Sequence, residues 1–259
     1  MRIPIFQVDA FTGRLFAGNP AAVCPLETWL EDSQMQSIAA EINLSETAFF
    51  VRNGESYDLR WFTPACEVDL CGHATLASAF VVFEILDPAA SLVRFQTRSG
   101  ELRVSRHGDL LTMDFPARPP QPCNLSLALA TALGKPPREL GAARDYLAVY
   151  DSEDDVRALA PNMPAVAALD RFAVIVTAPG RDADFVSRFF APAHGVDEDP
   201  VTGSAHCTLV PYWAERLGKT KLHALQVSAR GGELWCELKG DRVTISGRAV
   251  RYLEGTILL

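Results

Sequence analysis

The chain of 259 residues is 48% hydrophobic, enough for one large core or two smaller ones, and carries a net charge of −8. It has no basic run that would neutralise phosphates, which argues against nucleic acid, and no window near the roughly 20 uninterrupted apolar residues of a membrane span. Met-Arg-Ile-Pro-Ile-Phe at the start lacks signal-peptide architecture, and six cysteines are scattered through a chain too large to need staples, so a soluble cytoplasmic protein with reduced thiols is expected.

Taken in order, residues 2–8 read as a strand from their branched and aromatic content, Phe16-Ala-Gly-Asn-Pro20 as a turn, and residues 21–24 as a short buried strand. Residues 29–42 carry Leu30, Met35, Ile38, Ala39 and Ile42 at helical spacing, with acidic Glu31 and Asp32 in the first turn, and predict an amphipathic helix. A loop then runs into a strand at residues 43–51, and residues 57–62 alternate as its partner. Residues 75–85 are apolar nearly all round, which predicts a helix buried on every side. Three strands follow at 92–96, 101–106 and 110–115, with turns at Ser99-Gly100 and His107-Gly108-Asp109.

Four prolines between Pro116 and Pro122 suit a semi-rigid linker, so domains at 1–118 and 119–259 are expected, the last strand returning to the first domain. Beyond the linker we expect helices at 125–133 and 153–159 and strands at 145–150 and 172–177.

The chain repeats itself. Arg60-Trp-Phe-Thr-Pro-Ala65 matches Arg188-Phe-Phe-Ala-Pro-Ala193, Cys71-Gly-His-Ala74 matches Thr202-Gly-Ser-Ala205, and Gly100-Glu-Leu102 and Gly108-Asp109 match Gly232-Glu-Leu234 and Gly240-Asp241. The four blocks keep one order, so each half should contain strands, a glycine turn, a buried helix and three more strands. A helix buried all round needs a cover on every side. The expected fold is therefore α+β, with two pseudo-symmetric domains, each an antiparallel β-barrel-like sheet wrapped around a central helix.

At each glycine turn a helix begins with unpaired N–H groups and the positive end of its dipole, and Gly72 and Gly203 let a ligand approach without a Cβ in the way. The pair, flanked by His73, Asp199 and Ser204, suits a carboxylate or another small anion; glycines placed only for tight helix packing are the alternative. Glu46 is the candidate acid or base, because Leu44, Ala48, Phe49 and Phe50 would desolvate its carboxylate and favour proton uptake; a turn or capping carboxylate fits the same position. Ser204 and His206 lack a Gly-x-Ser-x-Gly elbow, and there is no dinucleotide fingerprint or P-loop. Cys66, Cys71 and His73 lie close together and His206 adjoins Cys207, but no CxxC or HxxxH spacing accompanies them, and no metal is expected. His107, His194 and His223 sit in loop-like contexts and receive no role.

Phe16-Ala-Gly-Asn-Pro-Ala-Ala-Val, Ser45-Glu-Thr-Ala-Phe, Arg60-Trp-Phe-Thr-Pro, Glu67-Val-Asp-Leu-Cys-Gly-His-Ala-Thr and Glu198-Asp-Pro-Val-Thr-Gly-Ser-Ala resemble the phenazine-biosynthesis PhzF-like family. The resemblance implies a diaminopimelate-epimerase-like fold, a homodimer, an active site between the domains, and isomerisation by relocating a proton without metal or organic cofactor. It implies Glu46 as general acid/base, with His73, Asp199 and Ser204 lining the site and the amides of Gly72, His73, Gly203 and Ser204 holding a substrate carboxylate. Related epimerases oppose two cysteines. Here Cys71 faces Thr202 in the repeat, and a threonine hydroxyl is too weakly acidic to exchange roles with a thiolate. An amino-acid racemase or epimerase, and a dimeric metabolite-binding protein without turnover, are the competing readings.

Overall fold

The computed structural model describes residues 1–124 and 126–259, and the fold divides into two compact units, Met1–Asp114 with Ser246–Leu259, and Phe115–Ile245. No helix among the described residues is long and apolar enough to cross a membrane.

In the first unit, β1 (Arg2–Ala10) and β2 (Asn19–Leu26) lead to helix α1 (Asp32–Ile42). The helix starts later than its apolar spacing suggests because Glu31 caps it, its N–H bonding the Gln34 side chain at 3.4 Å. It buries Met35, Ile38 and Ala39 and ends at Asn43, whose φ of 54° turns the chain into β3 (Glu46–Asn53). Next come β4 (Ser56–Phe62), the short β5 (Glu67–Val68) and helix α2 (Gly72–Val81), which widens into a π turn at Val82–Leu86. The strands β6 (Leu92–Thr97), β7 (Gly100–His107) and β8 (Leu110–Pro116) follow.

The pairing runs antiparallel for β1 with β2, parallel for β2 with β3, antiparallel for β3 with β4, parallel for β4 with β6, and antiparallel from β6 to β7 to β8. The two parallel joints are the places where a helix must cross over, α1 between β2 and β3 and α2 between β4 and β6. Helix α2 packs against β1, β2 and β3, and Ala74, Leu76, Ala77, Ala79 and Val81 are all buried. Each fully buried large apolar side chain contributes about 1.5–3 kcal/mol. The two hydroxyls on this helix bond back along it, Thr75 Oγ1 donating to Cys71 O at 2.6 Å and Ser78 Oγ to Ala74 O at 2.7 Å.

The second unit holds β9 (Gln121–Pro122), α3 (Leu127–Leu133), β10 (Glu139–Ala142), β11 (Tyr146–Val149), α4 (Glu153–Ala158), α5 (Met163–Ala167), β12 (Val174–Pro179), β13 (Phe185–Phe190), α6 (Gly203–Leu217), β14 (Lys221–Gln226), β15 (Gly232–Lys239) and most of β16 (Arg242–Gly247), whose last two residues count with the first. Leu125, where the sequence places the start of α3, lies outside the described residues; Ser126 caps the helix, its Oγ accepting from Leu129 N at 3.1 Å. From β10 to β15 the pairing is antiparallel, parallel, antiparallel, parallel, antiparallel, the same series as in the first unit. Helix α6 packs against β14 and β15, stacks Trp213 on Phe185 at 5.8 Å, and donates from Trp213 Nε1 to Thr177 Oγ1 at 3.0 Å.

Pro211 lies inside α6 and has no amide for the carbonyl of Cys207; Arg118 N–H fills that place at 2.8 Å. His223, assigned to a loop by the sequence, sits within β14, pairs with Glu233 at 2.8 Å and stacks on Trp235, so a strand face holds it. His107 is the last residue of β7, where strand and turn signals meet. The last strand, β17 (Ala249–Leu258), pairs with β1 in the first unit.

Candidate active site

Both glycine turns hang from the same device. Arg60 on β4 grips Glu67 with two hydrogen bonds of 2.7 and 2.8 Å, and Arg188 on β13 grips Glu198 with two of 2.7 and 2.9 Å. Each guanidinium also lies over a ring two residues on, Phe62 at 5.2 Å and Phe190 at 4.9 Å. A serine hydroxyl ties down each loop, Ser99 to the carbonyl of Asp69 at 2.8 Å and Ser228 to that of Pro200 at 2.7 Å. Neither Cys71 nor Thr202, the residues before the helices, caps its helix with its side chain, so the first amides of both helices lack a side-chain cap.

At the first turn the parallel register of β2 and β3 sets Ala21 beside Glu46, and Asn19, two residues earlier, shares that face. Both reach His73. Asn19 Nδ2 lies 3.1 Å from His73 Nδ1, and Glu46 Oε2 lies 3.1 Å from Nε2. That second contact has ion-pair distance without hydrogen-bond alignment, and Glu46 Oε2 is buried with no hydrogen-bond partner among the described residues. Cys71 Sγ completes the cluster, 3.5 Å from His73 Nδ1.

Burial, and then the Glu46 carboxylate, push the Cys71 thiol up to about 11 against the pull of His73, so Cys71 is a neutral thiol near pH 7. Burial disfavours charge on His73, but Cys71 and Glu46 outweigh it and hold the imidazole well above an ordinary histidine. With the thiol protonated, the carboxylate of Glu46 carries that attraction. The cluster sets a carboxyl group, an imidazole and a thiol side by side at the start of α2.

The second turn is built differently. Thr202 Oγ1 donates to Asp199 Oδ2 at 2.5 Å, Thr202 N to Gln226 Oε1 at 2.8 Å, and Gln226 Nε2 to Asp199 O at 2.7 Å. Ser204 Oγ accepts from Arg144 at 3.3 Å; that guanidinium is forked on buried Asp145 and lies over Phe172 at 4.4 Å. His206 Nδ1 donates to Thr202 O at 2.9 Å, and burial lowers this histidine to about 4, leaving it neutral.

Of the residues singled out from sequence, Glu46, Gly72 and His73 meet in the first unit, and Asp199, Gly203 and Ser204 belong to the second. Asn19, Gln226 and Arg144 carry the surrounding contacts and were missed; Asn19 stood in a block read as a turn and as part of the resemblance without a role of its own, and single polar residues in or before strands give no periodic signal.

A family model described as phenazine biosynthesis-like protein matches residues 8–255. An uncharacterized isomerase of Pseudomonas aeruginosa is 56% identical over the whole of both chains. A crystal structure of a phenazine biosynthesis protein of the PhzF family from Enterococcus faecalis superposes with a TM-score of 0.99 at 48% identity, all of both chains covered. The structure of a predicted epimerase from Pseudomonas aeruginosa, 18% identical, has a TM-score of 0.75 over 99% of each chain and shares the fold.

Proposed function

The chain is an isomerase that belongs to the phenazine biosynthesis-like family, and on that premise we propose that it relocates a proton on a small carboxylate-bearing substrate without a cofactor, with Glu46 as general acid/base. The observation that carries this reading is the buried Glu46 Oε2, unpartnered and 3.1 Å from His73 Nε2 at the start of α2. The carboxylate takes a proton from a substrate carbon and returns it at another, while His73 stabilises the carboxylate and the amides of Gly72 and His73 accept the substrate anion. Asp199, Ser204 and the amide of Gly203 are assigned as further substrate contacts.

The racemase reading is the weaker one: the Thr202 hydroxyl is already donated to Asp199, and Cys71 keeps its proton near pH 7. The test is incubation with a panel of small cyclic and acyclic carboxylic acids in deuterium oxide, followed by NMR. Deuterium incorporation with a new regioisomer supports the proposal, and loss of optical rotation supports racemisation. Binding without exchange would leave a metabolite-binding protein, and turnover unaffected by Glu46→Gln would remove Glu46 from the role. We further propose a cytoplasmic homodimer. Six free cysteines suit a reducing compartment, and exposed Tyr252 and Leu253 on β17, with Phe16 edge-on to Tyr252 at 5.6 Å, offer an apolar face for a second copy.

A further inference from the structure

We propose that Arg118, Arg144 and Ser204, all in the second unit, form a seat for a singly charged carboxylate. Arg118 stands in the stretch read from sequence only as a proline linker. Its backbone amide donates to Cys207 O at 2.8 Å, which anchors it beside α6, three residues on from Ser204. Its guanidinium has neither a hydrogen bond nor an ion-pair partner among the described residues, and Nη1 is buried. Holding a cation partly out of water without a counterion costs free energy that a bound anion offsets. Nε and Nη2 are equally unbonded but not buried, so one edge of the guanidinium is open to a ligand.

Arg144 brings a second guanidinium to the same helix. Its Nε and Nη2 fork on the buried carboxylate of Asp145 at 2.9 and 2.8 Å, and the Phe172 ring, stacked on His194 at 3.9 Å, supports it from 4.4 Å. Nη2 also donates to Ser204 Oγ at 3.3 Å, which leaves the hydroxyl its own proton to donate, and Nη1 has no acceptor among the described residues. Burial pushes the Cys207 thiol up to about 11 against the pull of Arg118 and then Arg144, so both cations act on one place along α6. Residues three apart on a helix are neighbours on its surface, and Ser204 therefore shares the side that carries Cys207. Asp145 neutralises Arg144, and the charge of Arg118 is left uncompensated. One carboxylate balances it, whereas a phosphate dianion would set a surplus negative charge beside Asp145. The seat stands on these residues alone; that the carboxylate belongs to the substrate rests on the reading of Ser204 above.

The probe is acetate, titrated into the isotope-labelled full chain at constant ionic strength with chloride as the balancing salt. We expect saturable NMR shifts of the Ser204 and Cys207 amides and of the Arg118 Nε–H. Arg118→Gln should weaken acetate about 10–100-fold, the loss of a charge-assisted hydrogen bond, and Ser204→Ala about fivefold. Arg138→Gln, in the same unit but paired with Asp151, should leave binding unchanged. At a pH where phosphate is a dianion, it should bind more weakly than acetate. Thermal melting establishes that the variants are folded, and Ser204→Ala carries the test if Arg118→Gln is not. Shifts that chloride reproduces, phosphate bound more tightly than acetate, or a folded Arg118→Gln or Ser204→Ala that binds acetate as the wild type does overturns the seat. In the deuterium-exchange assay Arg118→Gln should raise KM about tenfold and change kcat by less than about threefold. Acetate binding lost with KM unmoved would overturn the assignment to the substrate. A chain that fills the seat and exchanges nothing would sink the isomerase reading and leave the seat standing.

Discussion

The two glycine turns are suspended alike and equipped unlike. Each hangs from an arginine–glutamate fork, each is pinned by a serine, and each opens a helix whose first amides lack a side-chain cap. Yet the first collects a carboxylate, an imidazole and a thiol with one oxygen unpartnered, and the second closes Asp199, Thr202 and Gln226 into a satisfied lattice. The two copies share a scaffold, and the proposed acid/base sits in one of them. The buried Glu46 Oε2 without an aligned donor belongs to the first turn, whereas at the second Nε2 of a neutral histidine, His206, is without a partner among the described residues.

The comparison breaks most sharply in turnover. Glu46→Gln should lower deuterium incorporation by about 10²–10⁴-fold, whereas Thr202→Val should change it by less than about tenfold while costing about 1–3 kcal/mol in urea unfolding, from polar partners left unpaired. Equal losses of turnover would make the turns functional equals.

The two histidines predict opposite pH responses. His206 titrates at about 4 when folded against about 6.5 unfolded, so the unfolded chain binds more protons in that window. Its contribution is complete above about pH 6.5 and lost, to roughly 3 kcal/mol, as pH falls through 4. His73 is raised, so its contribution is present below about 6.5 and lost as pH climbs through its folded value. Urea midpoints followed across pH should show His206→Thr, carrying the residue found at Thr75, losing the acid limb relative to wild type. His73→Gln should lose only the alkaline one. Parallel curves for wild type and His206→Thr would refute the neutral buried imidazole.

Smaller effects sharpen the scaffold half of the comparison. Arg188→Gln strands Glu198 and the carbonyl acceptors Val156 O, Arg157 O and Leu159 O, and should cost about 2–3 kcal/mol. Arg60→Gln should cost about half that, since Arg98 still pairs Glu67 at 2.8 Å. Smallest are Gly108→Ala and Gly240→Ala, at φ of 63° and 62° with open space around each, which should cost about 1 kcal/mol apiece. Unequal costs would show that the hairpins are not equivalent.

Much of this was legible in the chain. Colinear blocks exposed the repeat, and apolar neighbours singled out Glu46 before any contact was visible. That Glu46 meets His73 was not legible, because it depends on the register of β2 against β3, and alternation reveals faces without revealing partners. The late start of α1 escaped periodicity because Glu31 belongs to the cap, and the π turn after α2 escaped because its residues are as apolar as the helix before it. Gln226 escaped because one buried amide in a strand carries no pattern.

The proline within α6 has a kinetic consequence. Its missing hydrogen bond is supplied by Arg118, far upstream, so α6 cannot finish its ladder as a local event. Helix α2, which has no internal proline and whose hydroxyls bond back along it, can. During refolding, amide protection should therefore settle over α2 before α6, and the Arg118 amide, exchanging only when the distant loop reopens, becomes the clock that times the closing of the second unit.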